Sequence, residues 1–341
     1  MRWGIVGFGW VARDYFAPAV RAAGDTLAAV CDPDPSAQAA ARALGAEAYG
    51  DVAALLAQAE LDAVYVATPN HLHRAAVEAL AGAGMPVLCE KPMAATLPDA
   101  EAMAGAVRTA GARYGTAFDQ RHHPAHRALR DAIRAGRVGV VTAIRIVYAC
   151  WVGPDWSDGR GAENWRVDPR KAGGGALMDL APHGLDLVEF LLGEPIAEVR
   201  ALTQRRVQPY SVDDGALLIG QTAGGVLASL HVAYNCPESL PRRRLEVAGA
   251  LGQIAAIDTM GQTPGGTLLF TDGATGAVSP VAVPNAAASP FLNQVRAFGQ
   301  AVRTGDWAEW SVERDLHTMR LLADAYAQAG DPVARELRIA S

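Results

Sequence analysis

The chain has 341 residues, half of them apolar and 19% charged, with a formal net charge of −6. That composition excludes a disordered chain, and the acidic balance sets nucleic acid aside as a partner. Four cysteines without a C-x-x-C pair support no zinc or dithiol motif, so no metal and a reducing cytoplasm are expected; no apolar run is long enough to span a bilayer, and Met1 leads straight into a strand pattern with no room for a signal peptide.

Along the first 120 residues, short apolar runs alternate with helical patterns. Strands are predicted at Trp3–Val6, Leu27–Cys31, Ala63–Ala67, Pro86–Cys89 and Arg113–Phe118. Between them lie helices at Val11–Ala23, Pro35–Leu44, Val52–Ala59, Leu72–Ala83 and from Thr96 to about Ala110. Thr96 caps the last of these, with Pro98 in its first turn and Asp99 three residues after the cap. This alternation predicts an α/β unit, a doubly wound parallel sheet of the Rossmann type. A boundary falls at 119–123, dividing the chain into 1–120 and 121–341.

The second unit reads as α+β with a large mixed or antiparallel open sheet. Pro124–Ala135 is a helix, Val140–Trp151 a long strand, Val152–Gly175 a polar loop and Ala176–Leu192 a helix. The stretch from Glu198 to Val283 is mostly strand-like, with a turn at Thr222–Gly225. Helices near Pro290–Arg303 and Val312–Gln328 finish the chain. The run Arg242–Arg244 reads as a solvated strand edge.

The sequence Gly7-Phe8-Gly9-Trp10-Val11-Ala12 follows the first strand and opens the first helix. Gly7 suits the tight turn, Gly9 lets a pyrophosphate approach the backbone, and Ala12 permits close helix–strand packing. The pattern alone is weak: G-x-G pairs occur at 7/9, 82/84, 159/161 and 173/175. Only the first joins a strand to a helix. Asp32 ends the second strand, where a carboxylate accepts bonds from ribose hydroxyls and repels an additional phosphate, so NAD is expected over NADP.

Two further segments follow strands at their carboxyl ends, where open α/β sheets bind ligands. They are Thr68-Pro69-Asn70, with His71 and His73 just beyond, and Glu90-Lys91-Pro92. Partial burial of a lysine at such a crevice would suit acid–base work. With Gly173-Gly-Gly-Ala-Leu-Met-Asp179-Leu-Ala-Pro-His183, these motifs resemble the glucose–fructose oxidoreductase / inositol dehydrogenase / MocA family over nearly the whole chain. The resemblance implies that Lys91 is the catalytic lysine and that Asp179 and His183 complete the site from the second unit. Spacing adds that Asp179 and His183 share a helix face, so the carboxylate can orient the imidazole, with Asp186 one turn further along as the alternative. Pro182 would kink that helix, and Gly173–Gly175 would let backbone approach the cofactor or substrate.

The reading is therefore hydride transfer between a nicotinamide cofactor and a sugar, polyol or related hydroxy compound, the proton passing to Lys91 or His183. A glycosidase acting by transient oxidation, or a dinucleotide-binding sensor, are the alternatives. Arg121, Trp165 and Arg166 are expected near cofactor or substrate, with Asn70 and His73 beside the nicotinamide ribose. Tyr148, Trp151 and Trp156 are candidate sugar-stacking surfaces, Tyr234 reads as core, and Asp119 has no assigned role. Apolar residues in Ala216–Ile219 and Val226–Val232 suggest a sheet face covered by homo-oligomerisation.

Overall fold

The structure is a computed structural model and describes residues 1–157 and 164–330. The central part of the expected loop, with its 159/161 glycine pair, and residues 331–341 lie outside the described residues.

The first unit runs β1 (Arg2–Val6), α1 (Ala17–Ala22), β2 (Thr26–Cys31), α2 (Pro35–Ala43), β3 (Glu47–Tyr49), α3 (Val52–Gln58), β4 (Ala63–Val66), α4 (His73–Gly82), β5 (Val87–Cys89), α5 (Leu97–Ala110) and β6 (Tyr114–Thr116). All its strand pairs are parallel, in the order β3-β2-β1-β4-β5-β6. That is the doubly wound order whose ligand crevice opens at the carboxyl ends of β1 and β4, where the order reverses. The three-residue edge strand β3 was not legible as a strand: it is too short to show a period, and it is exposed or half-buried.

The helix expected at Val11–Ala23 divides. Residues Ala12–Phe16 form a wider π turn, with the Ala17 N–H bonding the Ala12 carbonyl, before α1 continues. Pro18 has no N–H to offer Asp14 and its ring crowds that carbonyl, which accounts for the widening.

The second unit comprises α6 (Pro124–Arg134), β7 (Val141–Ala149), the single-turn α7 (Pro169–Ala172), α8 (Ala176–Leu192), β8 (Ile196–Gln204), β9 (Gly215–Thr222), β10 (Leu227–Ala233), β11 (Arg243–Gly249), β12 (Gly252–Ile257), β13 (Thr267–Asp272), β14 (Val278–Pro280), α9 (Pro290–Thr304) and α10 (Val312–Ala329). Among the described residues its sheet has eight strands in the order β14-β13-β12-β11-β7-β10-β9-β8. Only β7 and β10 pair in parallel, so the sheet is mixed.

Helix α8 lies on the inner face of this sheet and is buried along nearly its whole length. A side chain at Gly184 would come within 2.5 Å of Leu230 on β10, so glycine sets the close approach of helix to sheet. Pro182 does not break α8, which continues to Leu192. Helix α9, late in the chain, returns to the first unit: Phe291, Val295 and Phe298 pack into the cluster of Trp3, Ile5, Phe16 and Val20. Among the described residues no helix is long and apolar enough to cross a membrane.

Candidate active site

A cleft of about 790 Å3 opens at the carboxyl ends of β1, β2, β4 and β5 and is closed on its far side by α8 and β7. Gly7 stands at its start with a φ of +86°, a conformation only glycine adopts without strain. A Cβ there would also lie 2.8 Å from the backbone of Ala67 and Thr68. Gly9 lines the cleft with nothing within 4 Å of where a side chain would be, leaving its backbone open to a ligand. Asp32 is a clamp for this turn: Oδ2 accepts the Phe8 N–H at 2.7 Å and Oδ1 the Asp34 N–H at 2.9 Å. Phe8 thus contributes only its backbone, and its ring is buried in the core.

Trp10, Val11, Thr68, Pro69 and Asn70 continue the cleft wall, and the buried Thr68 hydroxyl has no partner within the described residues. An open glycine cradle, a carboxylate at the end of β2 and an orphaned hydroxyl fit a dinucleotide laid across the sheet's switch point. His73, expected at the nicotinamide ribose, sits elsewhere. It is fully buried, and its ring nitrogens lie 3.0 Å from the Pro92 carbonyl and 2.9 Å from the Thr68 carbonyl. Burial lowers its pKa to about 4, so the neutral ring carries one N–H and donates to one of these two carbonyls, packed between the two loops that build the site. Asn70 also bridges, donating to the Ala172 carbonyl at 2.8 Å and joining the first unit to α7.

Lys91 follows β5 and points across the cleft to α8. Its Nζ donates to Asp179 Oδ1 at 2.6 Å and to the Asp179 carbonyl at 3.0 Å. The other carboxylate oxygen accepts the Tyr234 hydroxyl at 2.7 Å. Burial works against ionising Asp179, but Lys91, Arg166 and the bonds from Lys91 and Tyr234 overcome it and hold the carboxyl well below the usual range. Beside Lys91, Glu90 accepts a short bond from the buried Tyr65 hydroxyl, and burial raises the Glu90 carboxyl.

His183 lines the cleft one turn beyond Asp179, and burial together with the Lys91 charge holds it neutral. The Asp179 charge acts on the ring, as its spacing suggested, but its oxygens bond Lys91 and Tyr234; the carboxyl that faces His183 Nδ1 is Asp119, with Oδ1 at 3.4 Å. Burial and the neighbouring Glu90 raise the Asp119 carboxyl to about 7. Asp186, the alternative partner, accepts both its bonds from Arg121 Nε at 2.7 Å. That pair holds Arg121 away from the cleft it was expected to reach. Trp165 and Arg166 do line the cleft; the Arg166 guanidinium lies 4.7 Å from the Trp156 ring and 4.6 Å from the Trp165 ring.

The glycine run meets protein, not ligand. Added side chains would strike the Ala95 carbonyl at Gly173, the Tyr326 hydroxyl at Gly174 and the Asp213 carbonyl at Gly175. Its smallness seats α8 against three other segments. Tyr234 lies in the core, as expected, but its bond to Asp179 escaped the sequence reading, as did the places of Asp119 and Tyr65, which carried no role. Each acts through a partner distant in the chain, so no local spacing announces it.

A dinucleotide crevice faced by a lysine–carboxylate pair and a neutral imidazole defines the class: a Rossmann-fold oxidoreductase. A family profile described as "Oxidoreductase family, NAD-binding Rossmann fold" matches residues 1–118, and the "GFO/IDH/MocA C-terminal domain" matches residues 126–255. The chain belongs to the GFO/IDH/MocA oxidoreductase family. The 1,5-anhydro-D-fructose reductase of Ensifer adhaerens is 32% identical over 333 residues, covering 96% of this chain and 97% of that protein. D-xylose 1-dehydrogenase (NADP(+)) 2 of Haloferax volcanii is 30% identical over 339 residues, covering 99% and 100%. An aldose–aldose oxidoreductase from Caulobacter crescentus, solved with glycerol, superposes with a TM-score of 0.86 at 25% identity over 97% of both chains.

Proposed function

We propose that the protein oxidises or reduces a CH–OH group of a sugar or polyol with NAD as cofactor. The observation that carries this is the convergence of Lys91, Asp179 and His183 on the cleft that begins at Gly7 and Gly9. When bound, the nicotinamide supplies the hydride acceptor or donor. Lys91 spends two of its three N–H donors on Asp179, leaving the third for the substrate oxygen, where it offsets the negative charge that develops there. His183, kept neutral, takes the hydroxyl proton in oxidation and returns it in reduction. Trp156, Trp165 and Tyr148 wall the cleft and offer apolar faces to a sugar ring. The sugar class is supported by the names of the relatives, a reductase of 1,5-anhydro-D-fructose and a xylose dehydrogenase.

The cofactor preference rests on Asp32, whose carboxylate would lie against the 2′-phosphate of NADP. The chain also works as a homo-oligomer in this reading, through the outer face of the eight-stranded sheet. A panel of sugars and polyols with NAD and NADP, followed by nicotinamide absorbance, tests the whole proposal. Turnover with NAD is expected, and Lys91→Ala should lower kcat by about 10²–10⁴-fold. Turnover undiminished in Lys91→Ala would remove that lysine from the chemistry.

A further inference from the structure

His183 has a problem of partnership. It is 3% exposed, and its Nδ1 is buried without a hydrogen-bond partner. A buried ring nitrogen left unpaired carries the full cost of its lost hydration. Asp179, the carboxylate on the same helix face, is committed to Lys91 and Tyr234. The group that faces Nδ1 is Asp119, from the turn after β6, with Oδ1 at 3.4 Å.

Asp119 is held for that role from behind. Its Oδ2 accepts Gln120 Nε2 at 2.9 Å. The same Gln120 amide is pinned to Gly261, donating to its carbonyl at 2.8 Å and accepting its N–H at 3.2 Å. One carboxyl oxygen is therefore fixed and the other is turned to the imidazole. Tyr148 closes the ring's flank, its centroid 5.5 Å from that of His183 in an edge-on arrangement. Catalytic hydrogen bonds are often long before ligands bind and shorten in the complex, so a 3.4 Å approach is a fair starting distance.

We propose, building on the oxidoreductase reading, that Asp119 is the positioning residue of His183, and that the pair exchanges one proton across Oδ1 and Nδ1 to select the tautomer His183 presents to substrate. With Asp119 ionised, Nδ1 carries the imidazole proton and donates it to Oδ1, and Nε2 is an open acceptor for the substrate hydroxyl. With Asp119 protonated, the carboxyl donates to Nδ1, and Nε2 carries a proton for the substrate carbonyl oxygen. The balance is simple: a proton entering at Nε2 releases the Nδ1 proton to Oδ1, and the pair has gained one proton with the ring neutral throughout. This matches a site whose burial disfavours an imidazolium.

The groups facing Asp119 set where it titrates. Burial and Glu90, after β5, favour its protonated form, whereas Lys91 and Gln120 favour the carboxylate. Tyr65 on β4 and Tyr148 on β7 lie nearby as neutral phenols, both held well above their ordinary range. The result is a carboxyl raised to about 7. Below that pH the pair is in its donor form, above it in its acceptor form, so kcat/KM for alcohol oxidation rises as pH rises through about 7.

The test uses the full-length protein with 15N-labelled histidine, assigned by loss of one set of signals in His183→Asn. The imidazole nitrogens of His183 should exchange protonation, Nε2–H at pH 5 and Nδ1–H at pH 9, with no imidazolium between. In Asp119→Asn the amide still accepts from Gln120 but offers Nδ1 only a donor. His183 should then stay Nε2–H at every pH, the limb near 7 should vanish from kcat/KM, and kcat should fall by about 10–10²-fold with KM little changed. A wild-type His183 whose tautomer is the same at pH 5 and pH 9 overturns the pairing, and so does an Asp119→Asn enzyme with the wild-type pH profile. The tautomer titration needs no substrate, so a failed sugar screen would sink the oxidoreductase reading while the pairing is still decided.

Discussion

Asp32 shows how one side chain serves two ends. Its two oxygens accept backbone N–H groups from Phe8 and Asp34, so it braces the glycine turn, and it also lines the cleft at the place proposed for the adenosine ribose. Both oxygens keep a lone pair for ribose hydroxyls, and a 2′-phosphate there would meet the carboxylate instead. Asp32→Ser keeps a polar acceptor without the charge. It is expected to narrow the ratio of kcat/KM for NAD over NADP by about tenfold or more, equivalent to roughly 1.4 kcal/mol; an unchanged ratio would show that the preference is set elsewhere. The place of Asp32 at the cleft was legible, because a strand end and a residue type sufficed to put it there. So was Lys91, between Glu90 and Pro92 at a strand's carboxyl end. The proposed partner of His183 was not, since Asp179 has the spacing on α8 but gives its oxygens to Lys91 and Tyr234, and Asp119 faces the ring from a turn that belongs to no periodic pattern.

Among the elements, α8 matters most, because it carries Asp179 and His183 and fixes both against the first unit. Its periodicity and both its ends, Ala176 and Leu192, could be read directly, but what caps its start could not. Gly175 occupies the cap position and has no side chain to bond the free N–H groups of the first turn. The cap comes from elsewhere in the chain: Asp213, between β8 and β9, accepts the Gly175 N–H at 2.9 Å and the Leu177 N–H at 2.7 Å. The Tyr326 hydroxyl on α10 accepts the Met178 N–H at 3.1 Å and donates to Asp213 at 2.7 Å. A carboxylate at that end also suits the helix dipole. Asp213→Ala leaves the Leu177 N–H unpaired and the Gly175 N–H with only its 3.2 Å bond to the Tyr326 hydroxyl, and is expected to cost about 1–3 kcal/mol in urea unfolding. It should also lower kcat, because the helix that loses its anchor holds Asp179 and His183, the residues proposed for the chemistry. Stability within about 0.5 kcal/mol of wild type would mean that packing alone holds α8 in place. The strands were legible where they are long and apolar, whereas β3 was hidden because an exposed three-residue edge has no inner face to encode.

At the scale of the whole molecule, the two units are not independent bodies strung in order. Asn70 reaches α7, Lys91 reaches α8, and α9 returns to pack on the first unit, so the cleft exists only when both are folded. Chain order suggested a simple division near residue 120; the packing of α9 cuts across it. One large surface takes no part in this closure. The eight-stranded sheet gives its inner face to α8, and its other face exposes Leu202 on β8, Leu217 and Ile219 on β9 and Leu227 on β10. Leu202 and Leu217 are register partners, and Ile219 lies two residues along β9 on the same face, between Arg200 and Ser229, so apolar and polar side chains share this face. A patch of this kind on a folded sheet is best covered by its equal on a second copy related by two-fold symmetry, which buries it without leaving an open end. Ile219 is 56% exposed in the chain alone, so a charge there costs the monomer little. Paired across a two-fold axis, the same charge would be buried against its own copy. Ile219→Asp should therefore convert an oligomer to monomer in sedimentation at about 10 μM while the unfolding of the single chain stays within about 0.5 kcal/mol of wild type. Wild-type protein that sediments only as monomer at that concentration would assign the face some other cover.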